Sequence, residues 1–424
     1  MLRAEQPSAA TDWAQWLGPQ GDSSWKATGL VDKLPAAGPK ILWRTPVANG
    51  YSGPSVSGGK VYVMDFEVKS GTVDANPGAR TTIAGKERVL CLDEATGKKL
   101  WMHAYDCTLN LSFPNGPRCS PVIVGGMVYA LGGGGQLTVL EAASGKVVWE
   151  KNLAAEYMTK APIWGYSSTP LIKDGRLYTL CGGKGSQAVA LDAASGKEIW
   201  RALSGKDIGY APPVLWKNAG KEELLIWLPE ALHGLDPATG KVVWSQKLDI
   251  IYGMSIMAPR VEGDRIFVGG MGKKSMMVKP GGGSVEILWE GAPNQSIHPK
   301  NGTPIIVDGV IYGCDMDGDL LAVKASDGTR LWKSTAIMNN KKSSSGTFFM
   351  ARTSQYYVIF NDSGELILAR LTPEKYDEIS RAKILEATSP GMGRSVVWSH
   401  PAFAGQCVYA RNDKEIICVS LAAE

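Results

Sequence analysis

The chain has 424 residues, of which 50 are glycine and 24 are proline. So many residues that interrupt helices exclude long helical bundles and coiled coils. A hydrophobic fraction of 44% and a charged fraction of 20% are typical of a globular protein. The formal net charge is only +4, which gives no electrostatic reason to expect binding to nucleic acid or to an anionic membrane.

Membrane and disulfide signals are weak. No apolar run approaches the roughly 18 residues needed to span a bilayer, and the first residues lack the apolar stretch of a signal peptide. From the residues alone we expect either a cytoplasmic protein or one whose signal peptide was removed. The seven cysteines are dispersed along the chain. We expect buried free thiols, and one or two disulfides, such as Cys107 with Cys119, are the alternative.

In chain order, the first predicted strand is residues 40–44, which contain Trp43. Five similar hairpins follow, and each has a glycine four positions before its tryptophan. A sixth, degenerate copy ends at Trp289. Consecutive repeat tryptophans are separated by 43 to 51 residues. The tryptophans of the five regular copies are Trp101, Trp149, Trp200, Trp244 and Trp332.

Each copy is predicted to be a β-hairpin. An apolar strand such as 189–191 runs into a tight turn, where Gly196 takes a positive φ, and a second strand ends in Trp200. Two more strands, such as 168–172 and 176–180, precede each hairpin. A period of 40 to 50 residues with four antiparallel strands is typical of a β-propeller.

The blade count depends on the chain ends. Residues 343–385 supply a repeat without tryptophan, and residues 396–421 supply only three strands. The missing strand is present at the other end of the chain, so we expect strand 41–46 to pair with strand 415–421 and close the ring. The sequence therefore predicts an all-β, eight-bladed propeller over residues 40–424, monomeric, after an N-terminal entry segment at 1–39.

These hairpins resemble the tryptophan-docking repeats of the pyrroloquinoline-quinone (PQQ) propeller superfamily. In that family a small residue ten positions before tryptophan packs on the indole, and a glycine of the neighbouring blade stacks on its other face. The small positions here are Cys91, Ala190, Gly234 and Ala322, while Val139 departs from the pattern. The resemblance implies structural docking roles for Trp43, Trp101, Trp149, Trp200, Trp244, Trp289 and Trp332.

The leader 12–19, Asp-Trp-Ala-Gln-Trp-Leu-Gly-Pro, resembles the entry segment of an exported bacterial branch of this superfamily. The resemblance implies a periplasmic or extracellular protein whose signal peptide was removed.

Catalytic signals are sparse. Quinoprotein alcohol dehydrogenases of this superfamily have adjacent cysteines and clustered Ca²⁺ ligands, and this sequence has no adjacent cysteines. The acidic run 315–319 is interpreted as a solvated hairpin turn, and the four histidines lack zinc-site spacing. Residues 67–86 are interpreted as a mobile surface loop, the one long insertion within a blade. We assign no catalytic residue and no metal ligand.

The remaining candidates lie in the loops between each tryptophan strand and the next innermost strand, which in this family line the mouth of the central channel. Two cations, several aromatic rings and imidazoles expected to titrate near about pH 6 to 7 favour an anionic or polyhydroxylated ligand. The predicted ligand-binding residues are Tyr51, Arg118, Trp164, Tyr166, Tyr210, Tyr252, His298, Lys300, Trp398 and His400.

The leading interpretation is a non-catalytic, exported propeller without a cofactor that binds an envelope protein, a glycan or a small anionic ligand through its channel mouth or its blade edges. It is similar in kind to the outer-membrane assembly lipoprotein that uses this fold as a scaffold. The alternative is a PQQ-dependent alcohol or sugar dehydrogenase with a diverged site, which would require PQQ with Ca²⁺. A third reading is a carbohydrate-binding or polysaccharide-processing accessory protein.

Overall fold

The structure is a computed structural model that describes residues 12–74, 76–218 and 220–423. It contains eight four-stranded antiparallel sheets and one two-stranded hairpin. The predicted all-β, eight-bladed propeller is therefore confirmed. Among the described residues, no helix is long and apolar enough to cross a membrane.

The blades are numbered 1 to 8 in chain order, and β1 (Ile41–Pro46) belongs to blade 8. The strands of blades 1 to 4 are β2 (Ser55–Ser57), β3 (Lys60–Ser70), β4 (Thr81–Asp93), β5 (Lys99–Leu111), β6 (Val122–Val124), β7 (Met127–Leu131), β8 (Gln136–Glu141), β9 (Val147–Asn152), β10 (Leu171–Lys173), β11 (Arg176–Leu180), β12 (Ala188–Asp192), β13 (Glu198–Ala202), β14 (Val214–Asn218), β15 (Lys221–Trp227), β16 (Ala231–Leu235) and β17 (Val242–Lys247).

The strands of blades 5 to 8 and the extra hairpin, β30 with β31, are β18 (Arg260–Glu262), β19 (Arg265–Gly270), β20 (Lys274–Gly281), β21 (Ser284–Glu290), β22 (Ile305–Val307), β23 (Val310–Cys314), β24 (Leu320–Lys324), β25 (Arg330–Ser334), β26 (Phe348–Arg352), β27 (Tyr357–Asn361), β28 (Glu365–Leu371), β29 (Tyr376–Lys383), β30 (Ser389–Gly391), β31 (Arg394–Val396), β32 (Ala402–Ala404), β33 (Cys407–Arg411) and β34 (Glu415–Ser420). The short helical elements are one α-helical turn, α1 (Leu153–Glu156), and 3-10 turns at Ile251–Gly253 and Ala336–Met338.

The first strand of each blade lies nearest the central axis. Strand β2 contacts both β6 and β32, β6 contacts β10, and β18 contacts β22. The middle strands are covered on both faces by neighbouring blades, and residues 320–323 of β24 are all buried. The outermost strands are only half covered, so in β13 Trp200 is buried while Ile199 and Arg201 are exposed.

The ring closes by pairing the two ends of the chain. Strand β1 pairs antiparallel with β34, with Arg44 opposite Ile417 and Pro46 opposite Glu415. The outermost strand of blade 8 thus comes from the N-terminal part of the chain and the other three from its end. The predicted pairing of 41–46 with the last strand is confirmed, and it removes an open sheet edge.

The repeat tryptophans join neighbouring blades. Gly145 lies against the indole of Trp101, because a Cβ on this glycine would come within 2.6 Å of two indole carbons. The Trp101 indole N–H donates to the Ala142 carbonyl of the same turn at 3.1 Å. The same glycine contact is made on Trp43, Trp149, Trp200 and Trp289 by Gly97, Gly196, Gly240 and Gly328.

Trp244 departs from this pattern. Its indole N–H donates to Glu223 Oε2 of its own blade at 2.5 Å. The next hairpin is the degenerate copy, which has Val285, not glycine, four residues before Trp289. A side chain at that position removes the flat glycine surface on which an indole could stack.

Ten of the 20 residues in the segment predicted as a surface loop, 67–86, are strand, so the loop is shorter than predicted. Strand β3 enters it up to Ser70 and β4 leaves it from Thr81, and the two strands pair from Lys60 opposite Asp93 to Ser70 opposite Ala84. The tip is tied down, since Ser112 Oγ donates to the Asn76 carbonyl at 2.6 Å. Alternating side chains such as buried Ile83 pack against Leu109 and Leu111, which explains the extended conformation.

The entry segment occupies one end of the central channel. Trp13 exchanges two main-chain hydrogen bonds of 2.9 Å with Val56 of β2, and Ala14 accepts one from Ile123 of β6. On the far side of the ring, Arg260 Nη1 of β18 donates to the Gly21 carbonyl at 2.7 Å. Residues 12–25 therefore contact first strands on opposite sides of the ring. The chain then passes to blade 8, where the Trp25 indole N–H donates to the Gly405 carbonyl.

All seven cysteines are free, so the alternative of a disulfide between Cys107 and Cys119 is not realised. Five of the seven are buried, and Cys107 and Cys407 are partly exposed.

Candidate functional site

The candidate site is a cavity of about 760 Å³ in the channel, lined mainly by the loops that precede the first strands. Each of the eight blades contributes at least one such residue, because each first strand begins at the same end of the ring. Eight of the ten predicted ligand-binding residues line it: Tyr51, Arg118, Trp164, Tyr210, Tyr252, Lys300, Trp398 and His400.

The other two predicted residues, Tyr166 and His298, do not line the cavity. Tyr166 is 1% exposed, its hydroxyl donates to the Cys181 carbonyl at 2.7 Å, and its ring packs on Gly135 of the neighbouring blade. His298 is also 1% exposed, and its main-chain N–H donates to Asp315 Oδ1 at 2.8 Å. Both side chains are buried in the protein, and that of Tyr166 packs between blades 2 and 3.

Part of the cavity wall is formed by residues that the sequence did not predict. Trp16 of the entry segment lines the cavity, and so do Phe113, Phe349 and Met254. The sequence predicts that residues 12–19 form an entry segment, but it does not predict where Trp16 lies. Trp16 lines the cavity because this segment passes into the channel. Phe113 and Phe349 carry no repeat signal that would separate them from core residues.

Two hairpin tips also reach the cavity. Pro77 and Gly78, from the turn between β3 and β4, line it, as does Met392 between β30 and β31. The second hairpin is anchored by an ion pair of 2.5 Å between Arg394 and the buried carboxylate of Asp362. These tips narrow the opening that the loops alone would leave.

The aromatic wall residues contact one another in pairs around the ring. The ring centroids of Trp164 and Tyr210 are 5.6 Å apart, and Trp398 lies 6.1 Å from Tyr51. Phe349 lies 4.9 Å from the imidazole of His400. Such contacts fix the rings before any ligand arrives, which favours a preformed site for flat or apolar groups.

Arg118 is held by the protein itself. Its Nη2 donates to the carbonyls of Ser112 and Phe113, and its Nη1 donates to the Gly116 carbonyl. The guanidinium carbon lies 5.4 Å from the ring centroid of Tyr51, a cation–π contact. These contacts consume most of its donors and fix its position.

A buried carboxylate lies behind Arg118. Glu87 is 1% exposed and accepts hydrogen bonds from the Tyr105 hydroxyl at 2.5 Å and from the Gly133 N–H at 2.8 Å. Burial raises the pKa of Glu87, while Tyr105, Gly133 and the charge of Arg118 oppose that shift. Glu87 does not line the cavity, so it is not accessible to a ligand there. Its charge acts instead on Arg118 in the cavity wall.

Lys300, in contrast, makes few polar contacts with the rest of the protein. It is half-buried at the cavity, and its ammonium donates one hydrogen bond, to Ser345 Oγ at 2.5 Å. No ion pair to Lys300 occurs within the described parts of the chain. Burial lowers its pKa, with a smaller opposing effect from the charge of Asp317.

The expected titration of imidazoles near neutral pH is wrong. Burial lowers the pKa of His400 to about 4, and its Nδ1 lies 2.7 Å from the Pro401 carbonyl. Burial also lowers the pKa of His298 to about 4, assisted by the charges of Arg330 and Lys273. Both imidazoles are therefore neutral at neutral pH, and His400 contributes an uncharged ring to the cavity wall.

The residues present do not fit PQQ with Ca²⁺. No carboxylate lines the cavity among residues that the structure describes, and the same residues hold no group of three or more histidine, cysteine or acidic side chains that could bind a metal ion. The cavity offers Lys300 and the constrained Arg118 for a quinone that carries several carboxylates. A Ca²⁺ ion requires six to eight oxygen ligands, which these walls do not supply.

The acidic run at 315–319 is the predicted hairpin turn, between β23 and β24, but it is only partly solvated: Asp317 is exposed, whereas Asp319 is buried. Asp315 pairs with Arg330 at 3.3 Å and accepts from the His298 N–H, and Asp319 is buried beside Lys333. The loops before β22 and β26 contact this turn at Asp315 and Gly318, which explains its partial burial.

Comparison with known proteins gives the family. The family model described as "Outer membrane protein assembly factor BamB" matches residues 85–225 and 228–424. The chain belongs to this PQQ-like propeller family. It is 23% identical over 290 residues to the outer membrane protein assembly factor BamB of Shewanella oneidensis, covering 62% of this chain and 70% of that protein.

Dehydrogenases are also similar. The chain is 35% identical over 130 residues to the quinohemoprotein alcohol dehydrogenase ADH IIB of Pseudomonas putida, but the match covers only 28% of this chain and 18% of that enzyme. The chain is 26% identical over 155 residues to the outer membrane protein assembly factor BamB of Moranella endobia, and this match covers 36% of this chain and 35% of that protein. The chain thus spans about a third or less of these two curated relatives.

Two solved structures show the same fold. The quinohemoprotein alcohol dehydrogenase of Comamonas testosteroni superposes with a TM-score of 0.62 at 14% identity, covering 98% of this chain and 82% of that one. BamB of Moraxella catarrhalis superposes with a TM-score of 0.53 at 15% identity, covering 90% of this chain and 97% of that one.

Proposed function

We propose that this protein is a non-catalytic, exported propeller that binds a ligand in the cavity at its channel mouth. The observation that carries the proposal is the convergence of loops from all eight blades on one aromatic-lined cavity. Cavities of roughly 300–1,000 Å³ with apolar walls and a few polar groups are the usual form of small-molecule sites.

The charged groups argue for binding over catalysis. Arg118 is tied to main-chain carbonyls, and His400 is a weak base because burial lowers its pKa to about 4. No carboxylate among the described residues lines the cavity to act as a general base. The walls therefore suit recognition of a molecule better than proton transfer to it.

The relatives support a place in the cell envelope. Several are named as outer membrane assembly factors, which supports a periplasmic or extracellular location and an envelope protein as a further partner. The relatives named as quinohemoprotein or quinoprotein alcohol dehydrogenases support the alternative, a PQQ-dependent dehydrogenase.

An uncharged fluorescent probe, phenylnaphthylamine, tests the proposed cavity. Trp16, Trp164 and Trp398 line it, so bound probe accepts energy from these indoles. We expect saturable energy transfer whose affinity is weakened in Met271→Trp, which narrows the cavity, and kept in Met158→Trp, whose site is 93% exposed. Absence of saturable transfer in the unmodified protein contradicts a binding cavity.

The dehydrogenase alternative is tested separately. The protein is mixed with PQQ and Ca²⁺ and assayed for reduction of an artificial dye by alcohols and sugars, with a known quinoprotein dehydrogenase as positive control. The proposal expects no dye reduction. Dye reduction that requires both PQQ and Ca²⁺ would overturn it in favour of the enzyme.

A further inference from the structure

We propose that the ligand of the cavity is a compact apolar molecule carrying a single anionic group, and that Lys300 binds this group. The inference rests on the proposed function, because it names the chemistry of the molecule that the cavity takes. Four features of the described residues lead to it.

The first feature is the charge of the cavity. Its two cationic wall residues, Arg118 and Lys300, precede the first strands of blades 2 and 6, which are four blades apart in a ring of eight. They therefore lie on opposite sides. Because no acidic residue among those described lines the cavity, its electrostatic potential favours an anion.

The second feature is that Arg118 is already satisfied. Three main-chain carbonyls, those of Ser112, Phe113 and Gly116, accept from its guanidinium, and the ring of Tyr51 covers it at 5.4 Å. The buried Glu87 lies close behind, since a Cβ on Gly133 would be 3.4 Å from Arg118 Nη1 and 3.5 Å from Glu87 Oε1. Three of the five N–H donors of Arg118 are thus used by main-chain carbonyls, and the charge of Glu87 acts on it from behind the wall.

The third feature is the open capacity of Lys300. An ammonium group has three donors, and Ser345 Oγ accepts only one. No carboxylate lies within 4.0 Å of the ammonium in the described ranges. Burial of an unpaired charge is unfavourable, as the lowered pKa of Lys300 reflects, and an anionic group in the cavity would supply the missing counter-ion.

The fourth feature is the apolar remainder. Away from Lys300 the walls are mainly rings and thioethers, including Trp16, Phe113, Trp164 and Met254. A molecule with several charges would leave all but one of them without a partner against these surfaces. One anionic group on an aromatic or aliphatic body matches both parts of the cavity.

Two probes that share an aromatic skeleton separate these contributions. Anilinonaphthalene sulfonate carries one sulfonate, and phenylnaphthylamine carries no charge. In the unmodified protein we expect the sulfonate probe to bind more tightly, with an affinity that weakens as salt is added, while binding of the neutral probe does not.

Variants then test Lys300 itself. In Lys300→Met we expect the Kd of the sulfonate probe to rise roughly tenfold, as for loss of a charge-assisted hydrogen bond, with no change for the neutral probe. Lys300→Arg keeps the charge and is expected to retain most of the affinity. Lys247→Met, at a side chain 77% exposed on an outer strand, is the matched control and is expected to change neither.

The outcomes distinguish this inference from the proposed function. If the neutral probe binds but the sulfonate probe is neither tighter nor sensitive to Lys300→Met, the anionic ligand is wrong and the cavity proposal stands. If neither probe binds the unmodified protein, both fail. Loss of neutral-probe binding in Lys300→Met would show that this variant folds poorly. The salt dependence of sulfonate-probe binding in the unmodified protein then decides, and binding that does not weaken with salt overturns the inference.

Discussion

Gly97 of blade 1 lies directly against the indole of Trp43 in β1, so that a Cβ on this glycine would come within 2.6 Å of two indole carbons. The same turn accepts two further bonds from β1, from the Trp43 indole N–H to the Glu94 carbonyl at 2.8 Å and from Thr45 Oγ1 to the Gly97 carbonyl at 2.6 Å. Because β1 is the strand that closes the ring, this contact fastens blade 1 to blade 8 across the closure.

We expect Gly97→Ala to destabilise the protein more than Gly175→Ala. Both glycines have a similar positive φ, 68° and 73°, but a Cβ on Gly175 would meet nothing within 4 Å. The backbone strain of about 1–2 kcal/mol is common to both, and the clash with Trp43 adds roughly 1–3 kcal/mol at Gly97. Urea unfolding measures the free energy of unfolding of both variants. Equal losses would show that the Trp43 side chain moves aside to accommodate the added methyl group.

Trp200→Ala is expected to cost about 3–5 kcal/mol, as for other buried aromatic truncations. The indole is 7% exposed, packs on Gly240 and donates to the Pro237 carbonyl at 3.0 Å. Trp200→Phe keeps part of the packing and is the matched control, with a smaller loss. A melting temperature for Trp200→Ala within about a degree of the unmodified protein would contradict an inter-blade role.

Removal of residues 1–46 is expected to destabilise the entire ring. The truncation exposes the edge of β34, whose residues 415–419 lose their partners in β1. It also removes the entry segment from the channel. Thermal unfolding followed by circular dichroism measures the loss, and addition of a synthetic peptide of residues 39–47 is expected to restore part of it. A truncated protein as stable as the full chain would contradict closure by β1.

His400 is expected to make the protein sensitive to acid. Its pKa is lowered to about 4 by burial, whereas an unfolded histidine titrates near about 6.5. The folded state thus favours the neutral ring, and the resulting stability, up to about 3 kcal/mol, is present above about pH 6.5 and lost as the pH falls toward 4.

The matched variant is His400→Gln, which cannot titrate. Its free energy of unfolding is expected to fall less steeply than that of the unmodified protein between about pH 6.5 and 4, with a constant difference above that range. Parallel curves throughout would show that His400 does not titrate with a lowered pKa.

The fold could be predicted from sequence because the repeat encodes its own packing. The glycine four residues before Trp101 and Trp200 meets the tryptophan of the preceding blade, so one local spacing reports a contact between blades. Blade 7 lacks that tryptophan, yet the alternation in β27 and β28 was enough to identify it. The closure followed from counting strands at the two chain ends.

The cavity could be predicted only in part. Residues such as Tyr51 and Lys300 were identified because topology carries every loop before a first strand to the same end. Tyr166 occupies an equivalent loop but turns between blades to pack on Gly135, a contact with no local signal. Trp16 reaches the cavity only because the entry segment threads the channel, and His400 is neutral because of burial that tertiary packing creates.

The most direct test of the account is a crystal of the full chain soaked with para-iodobenzoate, an apolar ring with one carboxylate and one anomalous scatterer. We expect the iodine peak inside the cavity, among the aromatic walls, with the carboxylate about 3 Å from Lys300 Nζ. An iodine peak confined to the outer surface, with the cavity free of the compound, would contradict the claim that this protein binds ligands at its channel mouth.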